Sequence, residues 1–404
     1  MRGKKSVLVA YGLPLVWEPL CWLAGRRPRR GRGPIRRLLV IALDNPGDVL
    51  LMTPCLTALR ERFPSAAITM LVGEWARDLA AAHPAVSAVI VYNAPWFSAE
   101  VAPRPPRPDP PRRAFLRCLW RLWRGRFDAA IELRGEAAHL VLAYLSGVPR
   151  RVGYALSSLT WMEPDSAARL LTHRVPFAWH RWRAWHRVDY CLEAVAALDA
   201  RPRDPSLVIT IPLSAEQTIL QFLASHGVDA HTMLVAVQPG AGRVRKRWPV
   251  SAFAEVLNAV VERWGGRVVV VGSAAEAALA DDLAARLTRP PIVAVGRTTW
   301  LETAALIRRC RLVLCNDSAI THLASAVKTP AVVVSRAPAN FYAPYRTEGM
   351  AVTRELPCLN VGSYDGCACP FPEYRCLQAV TPAEVLAAAE RLLGRAAGAP
   401  AAVA

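Results

Sequence analysis

The stretch Val313-Leu-Cys-Asn-Asp-Ser-Ala-Ile-Thr-His-Leu-Ala324 decides how the chain is read. Residues 312–315 are an apolar run of the kind that forms a buried strand. Asn316-Asp317-Ser318 supplies turn formers and a helix N-cap, and residues 320–326 continue as an apolar helix. A strand that turns sharply into a helix gathers unpaired backbone N–H groups and a positive dipole end at one point, which suits a phosphate. The same three residues also fit an ordinary cap, so the rest of the chain must choose.

Working back from that stretch, apolar runs at 233–237, 267–271 and 291–295 read as strands, and 331–334 as the last one. Helices are expected over 251–264, with Ser251 as its cap, from about Glu276 to 287, over 301–307 and over 382–393. The first half has the same rhythm. Strands are expected at 38–43, 68–72, 88–92, 129–133 and 151–154, with helices at 48–63, 74–82, 136–145 and 188–198. Strand–helix alternation of this kind implies an α/β protein with doubly wound parallel sheets. Residues 200–205, Ala-Arg-Pro-Arg-Asp-Pro, read as a linker, and 404 residues leave room for a core on each side of it. No short tandem repeat is present.

The net charge is +18 and uneven: residues 1–200 hold 29 Lys+Arg against 16 Asp+Glu. The first half is therefore expected to meet an anionic surface, a membrane or nucleic acid. Residues 7–25 are apolar but carry Pro14, Glu18 and Pro19, and no small-residue cleavage site follows. With the arginines of 26–37 behind them, they read as an arm that lies on acidic headgroups, or as a loosely packed terminus. The Pro-rich run 101–111 is a surface loop. Behind it, residues 113–126 interleave Phe115, Leu116, Leu119, Trp120, Leu122 and Trp123 with five arginines. This is either a membrane-interface helix or an ordinary amphipathic one. Residues 178–187 are aromatic and basic, fit to stack bases or line a sugar site, or simply to begin a helix. Cys55, Cys191, Cys310 and Cys315 sit singly in apolar settings and read as small core residues in a reducing compartment. Cys358, Cys367, Cys369 and Cys376 cluster without the C-x2-C spacing usual for zinc; they are candidate metal ligands or structural thiols.

Three loops of the second half follow parallel strands, so all lie at the carboxyl edge of one sheet, where open α/β sheets bind ligands. The loop 238–249 brings Gly240 and Gly242 for close backbone approach and Lys246 as a phosphate cation. The loop after Val271 brings Gly272 and Glu276, a carboxylate able to accept both hydroxyls of a ribose. The third loop is Asn316-Asp317-Ser318. Together they describe a nucleotide-diphosphate site, although no Walker P-loop or complete G-x-G-x-x-G is present. In the first half Asp48 follows Gly47 after the first strand, at a helix N-terminus that favours an ionised carboxylate. It can serve as a general base or merely as a capping residue.

These motifs, taken in order, resemble glycosyltransferase family 9, the ADP-heptose:lipopolysaccharide heptosyltransferases. The resemblance rests on Gly47-Asp-Val-Leu-Leu-Met-Thr-Pro54, Leu59-Arg-Glu-Arg-Phe-Pro64, Pro239-Gly-Ala-Gly242 with Lys246-Arg-Trp-Pro249, Gly272 with Glu276, and Asn316-Asp-Ser-x-x-x-His-Leu-Ala324. It implies a GT-B fold of two Rossmann-like domains facing across a cleft, an acceptor domain at 36–200 and a nucleotide-sugar domain at 206–380. The arm 1–35 and a C-terminal helix and tail, 381–404, flank them. It implies an inverting, metal-independent transfer of heptose from ADP-heptose to a lipopolysaccharide-type or other lipid-linked glycan, without a cofactor. The enzyme would be cytoplasmic and peripheral on the inner face of the inner membrane. By the same resemblance Asp48 is the general base, Lys246 holds the diphosphate, Glu276 the ribose, and Asp317, Ser318 and His322 line the donor site. The absence of an Asp-x-Asp metal motif agrees with this. Five positions depart from the family pattern. Gln238 replaces a His, Ala319-Ile320-Thr321 replaces Gly-Pro-Met, and Arg336 replaces a Gly after the last strand. A non-enzymatic basic protein with a vestigial nucleotide pocket, binding membrane or nucleic acid, is the alternative, and a sugar-nucleotide epimerase on the same fold matches less well. Three donor-site loops plus Asp48 favour the transferase and leave nucleic acid without a role.

Overall fold

The computed structural model describes residues 33–95, 110–154, 168–176, 185–336, 340–356 and 375–397. The chain forms two compact units, Met1–Pro205 and Ser206–Ala404. The arm before residue 33, the Pro-rich run 101–109, the basic aromatic stretch 178–184 and Cys358, Cys367 and Cys369 lie outside the described residues.

The first unit is built on β1 (Arg37–Ala42), β2 (Ala67–Val72), β3 (Ala88–Val91), β4 (Ala129–Glu132), β5 (Arg150–Tyr154) and β6 (His173–Val175), all parallel, in the order β3-β2-β1-β4-β5-β6. The second unit repeats the arrangement with β7 (Leu234–Gln238), β8 (Arg267–Val270), β9 (Ile292–Val293), β10 (Leu312–Asn316), β11 (Ala331–Val334) and β12 (Gly349–Val352), again all parallel, in the order β12-β11-β10-β7-β8-β9. Both orders reverse direction between the first and fourth strands of their unit. That is the switch point at which doubly wound sheets open a crevice. β1, β7 and β10 are buried on both faces, as their uninterrupted apolar runs require.

Several local expectations are corrected. The helix expected over 48–63 is two, Pro46–Leu51 and Thr53–Arg62. Pro54 has no N–H to give to Leu50, and the Thr53 hydroxyl donates to that carbonyl instead at 2.7 Å, so the axis breaks at Met52. Ser251 is not a cap: Pro249 holds that position and the helix runs Val250–Trp264. Strands β6 and β12, and the helix Leu213–Ser225, were not expected. Arg60, from the Leu-Arg-Glu-Arg-Phe-Pro motif, has a structural role. Its guanidinium donates to the carbonyls of Pro64, Ala66 and Ala85 at 2.7–2.8 Å and ties the helix end to the loops that lead into β2 and β3.

Cys55, Cys191, Cys310 and Cys315 are buried thiols, as expected of core residues, and Cys376 is buried on the helix Arg375–Gln378. The helix Pro111–Gly125 packs Phe115, Cys118 and Leu122 against the first core. Its Leu116 and Trp120 point outward, 61% and 54% exposed, and the Arg124 guanidinium lies 4.7 Å from the Trp120 ring. Apolar side chains are therefore found on both sides of this helix, not on one. No helix among the described residues is long and apolar enough to cross a membrane.

Candidate active site

In the first unit the loops after β1 and β4 flank the switch point. Asn45 is the N-cap of Pro46–Leu51, with Pro46 fixing the first helical turn, and Asp48 falls in that turn. The Asn45 amide donates to Asp48 Oδ2 at 3.2 Å. Asp44, one residue beyond the strand, is buried, and Arg134 from the loop after β4 donates to its Oδ1. Burial pushes the Asp44 carboxyl up to about 7, while Arg134 pulls it down and Asp48 pushes it up. The loop that carries Arg134 is itself held. Glu132 Oε1 accepts the Arg134 N–H at 3.0 Å and lies 3.0 Å from His139 Nδ1. Arg187, the first residue of the helix Arg187–Ala196, brings its guanidinium to 3.8 Å from Asp44 and 4.0 Å from Asp48. The place of Asp48 in the first turn of a helix after β1 was legible in the sequence. The grouping of Asp44, Arg134 and Arg187 around it was not, because only the pairing of β4 beside β1 and the packing of the helix Arg187–Ala196 bring these segments together.

In the second unit the loops after β7, β8 and β10 come from three adjacent strands. Asn316, fully buried at the end of β10, fastens two of them. Its Nδ2 donates to the carbonyls of Pro239 (2.9 Å) and Gly240 (3.1 Å), and its Oδ1 accepts the Trp248 N–H (2.9 Å). Trp248 is buried against Phe253, with ring centroids 5.0 Å apart, and its indole donates to Val380 O at 3.0 Å. The loop between these anchors carries Lys246, whose Nζ lies 3.0 Å from Asp317 Oδ2. The Lys246 side chain is 21% exposed, so the cation is accessible from solvent while paired.

Ser318 is the N-cap of the helix Ala319–Ala326: its hydroxyl accepts the Ile320 N–H at 3.3 Å and donates to Gln238 Oε1 at 2.6 Å. Gln238 in turn donates to Glu276 Oε1 at 3.1 Å. Glu276 Oε2 accepts from Ser273 N and Oγ at 2.7 and 2.8 Å, completing a capping box. The chain Ser318–Gln238–Glu276–Ser273 thus links the three loops through neutral donors. Gln238, the departure from a His, makes the central link and carries no charge at any pH. A Cβ on Gly240 would overlap the Glu276 carboxyl group, so only glycine fits there without moving it. Gly272 has a positive φ of 157° and lies against the same carboxylate, whereas Gly242 is exposed. His322 is buried, 5.9 Å centroid to centroid from Tyr342. Thr321 is fully buried and donates to Asn316 O at 3.3 Å, so at this departure the side chain braces the turn from within. Arg336 is buried beyond the end of β11.

Among the described residues no cluster of three or more His, Cys, Asp or Glu side chains could hold a metal ion. The phosphate-type cation Lys246, the helix N-terminus capped by Ser318 and a carboxylate at Glu276 share the carboxyl edge of one doubly wound sheet, with a second such sheet in the same chain. This is the GT-B class of architecture. The chain matches glycosyltransferase family 9 (heptosyltransferase) over residues 116–364, more than half its length, and belongs to that family.

Relatives include lipopolysaccharide heptosyltransferase 3 of Escherichia coli, 24% identical over 292 residues, covering 71% of this chain and 79% of the relative. Lipopolysaccharide heptosyltransferase 2 of Salmonella typhimurium is 23% identical over 304 residues, covering 74% and 82%. The fold is shared with solved structures. A family 9 glycosyl transferase from Veillonella parvula superposes with a TM-score of 0.74 at 23% identity, covering 89% of this chain and 98% of that one. The ADP-heptose lps heptosyltransferase II of E. coli gives 0.69 at 19% identity, covering 90% and 100%.

Proposed function

We propose that this glycosyltransferase moves heptose from ADP-heptose, with inversion and without a metal, to a lipopolysaccharide-type or other lipid-linked glycan. The observation that carries this reading is the pairing of Lys246 with Asp317 beside the Ser318 helix N-terminus, at the switch point of the second sheet. Lys246 and the N–H groups of that helix stabilise the leaving diphosphate. Glu276 receives the ribose hydroxyls, Gly240 and Gly242 let the backbone approach the nucleotide, and Asp317, Ser318 and His322 face the sugar side. Asp48 takes the proton from the acceptor hydroxyl as its oxygen bonds the anomeric carbon. The bond from that carbon to the diphosphate oxygen breaks on the opposite face, and nucleoside diphosphate leaves with the electron pair. The names of the relatives support the heptose donor and the lipopolysaccharide acceptor.

A thermal-shift panel of ADP-, GDP- and UDP-sugars tests the donor. ADP-heptose is expected to raise the melting temperature through binding to the native state alone, and Lys246→Ala to abolish the shift. A shift with GDP- or UDP-sugars alone overturns the donor assignment. We further propose peripheral contact with the anionic inner face of the inner membrane through the outward side of Pro111–Gly125. There exposed Leu116 and Trp120 are flanked by Arg113, Arg117, Arg121 and Arg124. Co-sedimentation with vesicles containing acidic phospholipid should be lost in Trp120→Glu; undiminished sedimentation excludes this face.

A further inference from the structure

Arg187 occupies a costly position. It is the first residue of the helix Arg187–Ala196, where the dipole disfavours a cation, and it is 5% exposed. A guanidinium is rarely buried to that extent without anionic company. Its company is two carboxylates: Nη2 is 3.8 Å from Asp44 Oδ2 and Nε is 4.0 Å from Asp48 Oδ1. Asp44 already has a direct donor in Arg134. Neutralising Asp44 therefore does not by itself require Arg187, which also reaches Asp48; that carboxylate accepts the Asn45 amide on Oδ2 at 3.2 Å and shares a hydrogen bond with Asp44. The guanidinium carbon lies over the Tyr190 ring, 4.7 Å from its centroid, and the Tyr190 hydroxyl donates to Arg134 O at 3.1 Å. The two arginines are thus braced by one tyrosine.

We propose that Arg187, held by Asp44 and the Tyr190 ring, is a positioning residue that keeps Asp48 ionised and aimed for proton removal. The inference rests on the reading of Asp48 as the general base. The charged and titratable groups around that carboxylate include Asp44 on its own loop, Arg134 behind Asp44, and Arg187 and Cys191 on the helix Arg187–Ala196. The Cys191 thiol is hydrogen-bonded with Cys55 on Thr53–Arg62. Of these, Arg187 is the cation nearest to Asp48, at a distance where an opposite charge favours the ionised carboxylate.

The test compares Arg187→Gln with Arg187→Lys in the full chain, measuring kcat/KM against pH. A base must be ionised, so activity falls at low pH as Asp48 takes up its proton. Removing the cation raises the Asp48 pKa. In Arg187→Gln the acid limb is expected to move up by about one pH unit, with kcat at neutral pH down roughly tenfold and the donor KM within about twofold of the parent. In Arg187→Lys the charge remains but the guanidinium contact over the Tyr190 ring is lost, so kcat falls several-fold while the limb stays in place. An unmoved limb in a folded Arg187→Gln reduces Arg187 to a structural residue and overturns the proposal. If that variant does not fold, Arg187→Lys decides: a displaced limb or full turnover overturns it. Asp48→Asn separates the two readings, because turnover surviving in that variant removes the base itself, whatever Arg187 does.

Discussion

Asn316→Ala is the most informative single perturbation of the donor half, because the whole 239–248 loop hangs on that amide. The substitution deletes three hydrogen bonds, to Pro239 O, Gly240 O and Trp248 N, all in buried surroundings. The Trp248 N–H is left without its acceptor inside the core, and the two carbonyls lose their donor. An unsatisfied buried group costs about 1–3 kcal/mol, with carbonyls toward the lower end, so the expected destabilisation is about 3 kcal/mol or somewhat more. For a unit of this size each kcal/mol lowers the melting temperature by about 2–4 °C, so calorimetry should show a fall of roughly 6–12 °C. The second readout is nucleotide affinity. Lys246 sits between the freed anchors, so ADP binding measured by titration calorimetry on the folded variant should weaken about tenfold, which is about 1.4 kcal/mol. A melting temperature within about 2 °C of the parent would show that the loop does not depend on Asn316. Full ADP affinity would show that it does not set the position of Lys246.

Gly240→Ala should lower the melting temperature, since the Glu276 carboxyl that must move gives up its bonds to Gln238 and Ser273, and should weaken recognition of the ribose. The contrast between ADP and inorganic diphosphate as competitors checks this. Buried His83 is held neutral, its pKa lowered to about 4 by burial, and its Nδ1 accepts the Ala85 N–H. Its contribution to stability is complete above about pH 6.5 and is lost as pH falls from there toward about 4, a total of about 3 kcal/mol. His83→Gln should flatten that part of the stability–pH curve in urea melts, and an unchanged slope would assign the acid loss elsewhere.

The sequence was legible where physics is local. Parallel strands buried on both faces must be apolar runs, so β1, β7 and β10 could be read within a residue or two. Edge strands need not be: His173-Arg-Val175 is short and half polar, and Gly349-Met-Ala-Val352 is only partly buried, so both escaped notice. The helix break at Met52 was implicit in Pro54 but hidden by an apolar pattern that runs straight through it. At the site, residues on the strand-to-helix turns could be picked out because a turn and a cap leave local marks. Ser318 is such a case. The partners that give those residues their state leave no local mark. Gln238 looked like a simple departure until Ser318 and Glu276 closed on its two ends, and Arg187 lay in a stretch read only as aromatic and basic.

The account turns on Asp48 as the group that activates the acceptor. The most direct measurement is turnover of ADP-heptose by Asp48→Asn alongside its affinity for ADP. A fall in kcat of at least about a hundredfold is predicted, the scale on which general-base catalysis operates, with the ADP dissociation constant unchanged. Turnover within about twofold of the parent, with the same ADP affinity, would contradict it.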